Sequence, residues 1–352
     1  MIKTETQQIL LQKLAYLYHD EEDSILLKSI TGVGDAEQLL NMINDFCVRY
    51  LNCKVLSCHF THMSVGASFG LRLDNGQDAF LKIVRLPHNA FMETHSSLVS
   101  LCAASKVQEI LHNLGYPCPA IIRHPTPYSD VVIMAHEFTD KGKQEDAHDP
   151  SIRRASAESF AELIRKAYPY NGSHGFIEMD NYQTESLYPK PHNALFDFAI
   201  GENEAGWIDE IAARSKQIIN KFDKNVVIGH CYWSVKNMRF ANERVVMIYD
   251  WDSLMLHDEF DLLGNAARAF TTTWDIPVKI VPSREEVNAF VTEYEYVRGK
   301  RFTKQEWVRI SACATYHMCY TARCELSIDY PYAGSFRQAL AEMKEDNYLG
   351  VK

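Results

Sequence analysis

The dipeptide Asn75-Gly76 constrains this chain more than any other feature. It lies between two strand-like runs, Ser68-Phe69-Gly70-Leu71-Arg72-Leu73 and Ala79-Phe80-Leu81-Lys82-Ile83-Val84-Arg85. Asn-Gly in that setting predicts a tight antiparallel hairpin. A third run, Lys54-Val55-Leu56-Ser57-Cys58-His59-Phe60, precedes them across a loop of small residues around Gly66 and Ala67. Three meandering strands in about thirty residues predict a small antiparallel sheet. A helical pattern follows from about Ser97 to Leu114, with Gly115 just past its end, as helix C-termini favour. Tyr116-Pro117-Cys118-Pro119 forces extended backbone. The strand candidates 120–123 and 131–136 then bring the sheet to five strands with one helix upon it.

Helical periodicity governs most of the rest. Ile9, Leu10, Leu14 and Leu17, then Leu39, Leu40, Ile43, Phe46 and Cys47, recur at helix spacing within the first fifty residues. Beyond Ser151, apolar residues keep that spacing near 151–167, 205–222, 284–298, 303–326 and 334–346. The exception is 226–250, where Val226-Val227-Ile228 and 245–249 read as short strands flanking a loop. Glu137 to Gly142 looks like a connector, followed by a polar stretch to Pro150. The expected organisation is α+β, with a sheet domain over 1–137 and a helical domain over 138–352.

Composition limits the function. The chain has 352 residues, enough for two domains at about 100–200 residues each. Its 36 basic and 46 acidic residues give a net charge of −10, which argues against a reader of phosphate backbones. The nine cysteines are odd in number and never form CxxC, which points to a reducing compartment and to neither a disulfide framework nor a zinc site. The N-terminal stretch turns polar too early for a secretory signal, and no apolar run reaches the ~20 residues of a membrane span. The expectation is a cytoplasmic protein with no nucleic-acid or membrane partner.

The residues with chemistry to offer lie at the end of the 226–250 segment. Gly229-His230-Cys231-Tyr232-Trp233-Ser234-Val235-Lys236-Asn237 leaves one strand, and Tyr249-Asp250-Trp251-Asp252 ends the next. An amide oxygen from Asn237 and a carboxylate from Asp250 suit Mg2+, a hard cation with oxygen ligands. Lys82 sits among Phe80, Leu81, Ile83 and Val84, and a buried ammonium needs an anionic partner such as phosphate.

Together these features resemble the aminoglycoside phosphotransferase and choline kinase superfamily, from about Val55 to Ala339. Members carry H-x-D-x-x-x-x-N, then I-D-W/F, then D-L. Here those positions read His230 and Asn237, Asp250-Trp251, and Asp261-Leu262. The runs 249–254 (Y-D-W-D-S-L) and 191–198 (P-H-x-x-x-F-D-F) are similar to a bacterial subgroup. The resemblance implies a bilobed protein-kinase-like fold and transfer of a phosphoryl group from ATP, with Mg2+, to a hydroxyl of a small molecule. It implies Lys82 and Gly66 at the nucleotide, Asn237 and Asp250 at the metal, and Asp252 and Asp258 toward the acceptor. Glu109 is the favoured partner of Lys82, with Glu93 the alternative. Two positions depart from the pattern. Tyr232 stands where members have their catalytic aspartate, and only Gly66 and Gly70 remain in the phosphate-covering loop. The Tyr232 substitution opens a competing reading, a nucleotide-binding pseudokinase without turnover.

Plainer readings stand beside these. Lys82 can be an edge-strand lysine whose stem snorkels, Asn237 a turn amide, and Asp250 a strand-end carboxylate. His230 is expected to orient the loop through hydrogen bonds, and Asp261 to act as scaffold or helix cap. His257-Asp258-Glu259-Phe260-Asp261 matches no zinc motif and reads as a solvated turn. Cys231 beside His230 is not expected to form a nucleophilic pair, because neighbours in sequence seldom face each other. Trp207, Trp233, Trp251 and Trp274 read as core, and His192 with Asn193 as lining a site or ending a helix.

Overall fold

The computed structural model describes residues 5–86, 97–176, 178 and 186–343. They form two compact units, one of residues 1–109, 119–140 and 191–195 and one of residues 110–118, 141–190 and 196–352.

The first unit is built on an antiparallel five-stranded sheet. Its strands are β1 (Val55–Met63), β2 (Ala67–Leu73), β3 (Asp78–Arg85), β4 (Ile121–Tyr128) and β5 (Val131–Glu137), in the order β1-β2-β3-β5-β4. The Asn75-Gly76 hairpin joins β2 to β3. Its loop spans four residues, with the Leu73 N–H donating to the Gln77 carbonyl at 2.9 Å and Gly76 taking φ +83°. Side-chain alternation gives each face its own neighbours. Leu81 and Ile83 join Phe69, Leu71, Ile133 and Ala135 in a core shared with α1 (Glu5–Tyr16), α2 (Glu21–Thr31) and α3 (Ala36–Phe46). The opposite face carries Val84, Val132 and Met134, packed with Leu101 of α4 (Leu98–Asn113). Asp20 and Asp35 cap α2 and α3, accepting from the Asp23 and Gln38 N–H groups at 2.9 and 2.8 Å, the arrangement that satisfies orphan donors at a helix start.

The second unit is mainly helical: α5 (Pro150–Ala167), α6 (Glu202–Ile219), α7 (Glu259–Ala269), α8 (Arg284–Arg298), α9 (Lys304–Ser327) and α10 (Phe336–Met343). Capping boxes start α8 at Ser283 with Glu286 and α9 at Thr303 with Glu306. Two small antiparallel ladders interrupt the helices. One pairs β6 (Val226–His230) with β9 (Leu254–Asp258), and the other pairs β7 (Met238–Ala241) with β8 (Arg244–Ile248). Asn242 and Glu243 both take positive φ, 50° and 60°, the backbone a two-residue hairpin turn requires.

The sequence pattern missed α7, β7 and β9, and the reason is specific. The run 257–261 is not a solvated turn. Asp258 ends β9 and caps α7, accepting from the Asp261 N–H at 3.2 Å, and all five residues are buried. Burial is tolerable because each charge is met. Arg309 Nη2 lies 3.1 Å from Asp258, Arg298 Nε 2.6 Å from Glu259, and Asp261 is flanked by His257 at 2.7 Å and His317 at 2.9 Å. Asp261 is therefore scaffold, and the capping role belongs to Asp258. Within α7, Gly264 lets α9 cross closely: a Cβ there would lie 2.7 Å from Cys313 Cβ and 2.8 Å from Ile310 O. Trp233 and Trp251 are core residues, but Trp207 and Trp274 are exposed.

Candidate functional site

His230 organises the loop that leaves β6. The side chain is buried at the strand end. Its Nε2 lies 3.0 Å from the Tyr249 carbonyl, and its Nδ1 accepts the Tyr232 N–H at 3.2 Å. These two bonds require the tautomer with the proton on Nε2. The ring thus joins the start of the loop to the end of β8, and Trp233 and Trp251 enclose it edge-on. Further bonds tie the same two segments. The Tyr249 N–H donates to the Asn237 carbonyl at 2.8 Å, and the Cys231 N–H to the Ser253 carbonyl at 3.1 Å. From α7, Asn265 Nδ2 donates to the Cys231 carbonyl at 2.7 Å.

Asn237 ends a short 3-10 turn over 235–237. Its Nδ2 donates to the Tyr232 carbonyl at 3.0 Å, so its amide oxygen is the end turned away from the loop backbone. Asp250 follows β8 in the left-handed region, at φ 68° and ψ 41°, a conformation that Asp tolerates better than most residues. Ser253 holds it there. The Ser253 N–H donates to the Asp250 carbonyl at 3.0 Å and the Ser253 hydroxyl to Asp250 Oδ2 at 2.8 Å. Asp250 is half-buried, and Asp252, two residues on, is buried.

Tyr232 lies among these groups. Its hydroxyl is buried and has no hydrogen-bond partner among the described residues. Burial foremost, then Asp250 and Cys324, push the phenol well above its usual value; Arg268 opposes the rise and Asp252 adds to it. At neutral pH the group is a protonated phenol, a hydrogen-bond donor and not a base.

Lys82 occupies β3, the central strand, opposite Ser68 on β2 and Met134 on β5. The edge-strand reading is thereby excluded, and the side chain is only 7% exposed. Gly66, in the turn between β1 and β2, is shaped around it: a Cβ at Gly66 would lie 2.9 Å from Lys82 Cε and 3.0 Å from the Ile83 carbonyl. Glu109 does not meet Lys82. Its carboxylate is half in solvent and 3.6 Å from His124 Nε2. A position on a predicted helix gives no azimuth, which is why sequence spacing could not choose; the alternative, Glu93, lies outside the described residues.

Asp258, expected toward the acceptor, is buried and held within its own unit. Both of its oxygens are engaged, by the Asn225 N–H at 2.9 Å and by the Asp261 N–H and Arg309, and burial pushes its carboxyl up to about 6 against the pull of Arg309. The sequence reading overlooked Ser253 and Asn265, which hold Asp250 and the loop. Ser253 is the serine of the Y-D-W-D-S-L run, but spacing does not show its bond to Asp250, and Asn265 lies outside the motifs and acts through the packing of α7. Among the described residues, no helix is long and apolar enough to cross a membrane.

No protein-family model and no curated protein matches the chain in sequence. Solved structures do match. An amicoumacin kinase in complex with AMP-PNP and Ca2+ superposes with a TM-score of 0.58 at 9% identity, covering 84% of this chain and 90% of that one. A spectinomycin phosphotransferase in complex with ADP and spectinomycin gives 0.54 at 13% identity, covering 90% and 96%. A type I macrolide 2'-phosphotransferase gives 0.51 at 14% identity, covering 88% and 98%. Over nearly its whole length, the chain has the kinase-like α+β fold of the aminoglycoside phosphotransferase type.

Proposed function

We propose that this chain is a small-molecule kinase, transferring the γ-phosphoryl group of ATP to a hydroxyl of a metabolite or antibiotic. One observation carries the reading. In a fold whose solved examples hold AMP-PNP or ADP, His230 ties a loop bearing Asn237 to a strand end bearing Asp250. Such transfer depends on positioning and charge neutralisation more than on covalent chemistry, so rigid placement of these groups is what the reaction needs.

Asn237 and Asp250 fit Mg2+. They offer two oxygen ligands of different kinds, and water and phosphate oxygens complete the shell of such an ion. Among the described residues no cluster of three or more His, Cys, Asp or Glu side chains gathers as a metal site, so the ion would arrive with the nucleotide. When bound, it would offset phosphate charge. Lys82 would pair with the phosphates, and Gly66 would let backbone approach them. Asp252 would face the acceptor side.

Tyr232 favours a second reading, nucleotide binding without turnover. A neutral phenol is a poor substitute for a general base, whose loss costs on the order of 10²–10⁴ in rate. The tests separate the two. Magnesium AMP-PNP should raise the melting temperature by mass action, and Asp250→Asn should remove most of the magnesium-dependent part. Tyr232→Asp should raise ATP turnover against a panel of hydroxylated metabolites. Unchanged magnesium nucleotide affinity in Asp250→Asn would refute the metal assignment. Rapid transfer by the unaltered chain would refute the pseudokinase reading.

A further inference from the structure

Arg268, in the last turn of α7, is a cation without a counter-charge among the described residues. Its Nε donates to Asn265 Oδ1 at 2.9 Å and its Nη1 to Thr321 Oγ1 at 2.8 Å, while the guanidinium lies 5.3 Å from the Phe336 ring centroid. All three partners are neutral. Among the described residues no carboxylate oxygen comes within 4.0 Å of it. Other arginines of this unit are paired: Arg153 with Glu293, Arg298 with Glu259, and Arg309 with Asp258. Glu325 acts on Arg268 only at a distance, because its oxygens are taken by the Phe336 and Arg337 N–H groups, each at 3.0 Å. The helix C-terminus favours a cation, and this guanidinium is only part-buried, so its Nη2 is open to an anion that would complete it.

The position of Arg268 is as telling as its charge. Asn265, which accepts from it, donates in turn to the carbonyl of Cys231, the residue before Tyr232. The Tyr232 hydroxyl is buried and unpartnered, and Arg268 Nη2 has no partner among the described residues. Two unused donors therefore belong to one hydrogen-bonded assembly at the loop assigned to transfer.

We propose that Arg268 and Tyr232 form an anion seat on the acceptor side, so that the small molecule phosphorylated here carries a carboxylate or phosphate beside its reacting hydroxyl. This rests on the phosphotransferase reading. Arg268 supplies charge through Nη2, and the Tyr232 hydroxyl donates a second bond. Asp252 bears on the same phenol and opposes an anion, which would limit the seat to ligands that reach Arg268. Tyr232 is then a specificity residue where a base would otherwise stand.

The experiment fills the nucleotide site first. Thermal shift with saturating magnesium AMP-PNP reports the kinase reading by itself. Glycerol, glycerate and glycerol 3-phosphate are then titrated as neutral, carboxylate and phosphate probes. One charged probe or both should raise the midpoint saturably while glycerol does not. Arg268→Gln should weaken the charged probes about 10- to 100-fold, the loss expected for a hydrogen bond to an ion, and should leave the AMP-PNP shift in place. Arg268→Lys should keep part of the preference. If Arg268→Gln fails to fold, the contrast between probes on the unaltered chain decides. Equal response to glycerol and the charged probes, or an undiminished anion response in Arg268→Gln, overturns the proposal even where AMP-PNP binds.

Discussion

Gly264 and Gly206 allow the crossing of α7 and α9 to be tested against an internal control. Both are helical, so replacement by alanine brings each the same intrinsic gain, about 1 kcal/mol. They differ in what a methyl group meets. At Gly206 no atom lies within 4 Å. At Gly264 the new Cβ would lie 2.7 Å from Cys313 Cβ, 2.8 Å from the Ala314 nitrogen and 2.8 Å from the Ile310 carbonyl oxygen. Carbon atoms pack at about 3.5 Å or more, so the helices would have to part by roughly 0.8 Å. Two of the three obstacles are backbone, which cannot rotate aside. Overpacking of this kind costs about 1–3 kcal/mol, which outweighs the propensity gain. Gly206→Ala should therefore stabilise by about 0.5–1 kcal/mol and Gly264→Ala destabilise by up to about 2 kcal/mol. At about 2–4 °C per kcal/mol for a unit of this size, calorimetry should move the two midpoints in opposite directions and separate them by up to about 10 °C. Gly264→Ala should also shrink the AMP-PNP shift, because α7 carries Asn265 and its bond to the loop. If both variants move the midpoint in the same direction, the close crossing is not what fixes glycine at 264.

Three further outcomes follow from the same geometry. His230→Ala should cost about 2–4 kcal/mol in urea unfolding, and hydrogen exchange at the Tyr232 amide should quicken; unchanged exchange would mean that the ring does not hold the loop. Arg309→Met should cost about 3–5 kcal/mol by leaving Asp258 buried and unpaired, and adding Asp258→Asn should recover most of it in a double-mutant cycle. His148 bonds to Glu286 at 2.7 Å and to the Lys279 carbonyl at 3.0 Å; burial alone would lower it, but these partners raise it above its ordinary 6.5, while Glu286 is lowered from 4.5, burial being outweighed by its bonds to Ser283 and His148. The histidine's contribution is complete below its unfolded value and lost as pH rises through the folded one, whereas the glutamate's is present above its unfolded value and lost as pH falls through the folded one. The pair thus helps most between about pH 4.5 and 6.5, and His148→Gln should flatten the fall in melting temperature above that window; an unaltered profile would count against the pairing.

The sheet was legible where contacts are local. β2 and β3 pair across four residues, so Asn75-Gly76 and its flanking strands were enough to place them. The centrality of Lys82, expected from its apolar flanks, rests on a longer-range contact, with β5 arriving beside β3 from about fifty residues on. The motif spacing singled out His230, Asn237 and Asp250, and the structure holds these three in one hydrogen-bonded assembly. The acid-rich run 257–261 misled for the opposite reason. Charge in sequence reads as exposure, yet its partners Arg298, Arg309 and His317 come from α8 and α9. Glu109 and Asp258 failed together, since neither helix azimuth nor the direction of a cap can be read from spacing alone.

The left-handed backbone of Asp250 has a consequence for saturation mutagenesis. A scan of that codon would record intolerance of valine, isoleucine and threonine even if the carboxylate did nothing, because β-branched side chains are strained at φ 68°. Intolerance there is thus no measure of chemistry. The informative comparison lies among the few residues that accept the shape. Asparagine keeps conformation and size but removes the charge, and glycine keeps conformation alone. The fitness difference between those two reports the uncharged side chain as a whole, and the difference between aspartate and asparagine reports the charge, with a backbone shape that all three can adopt.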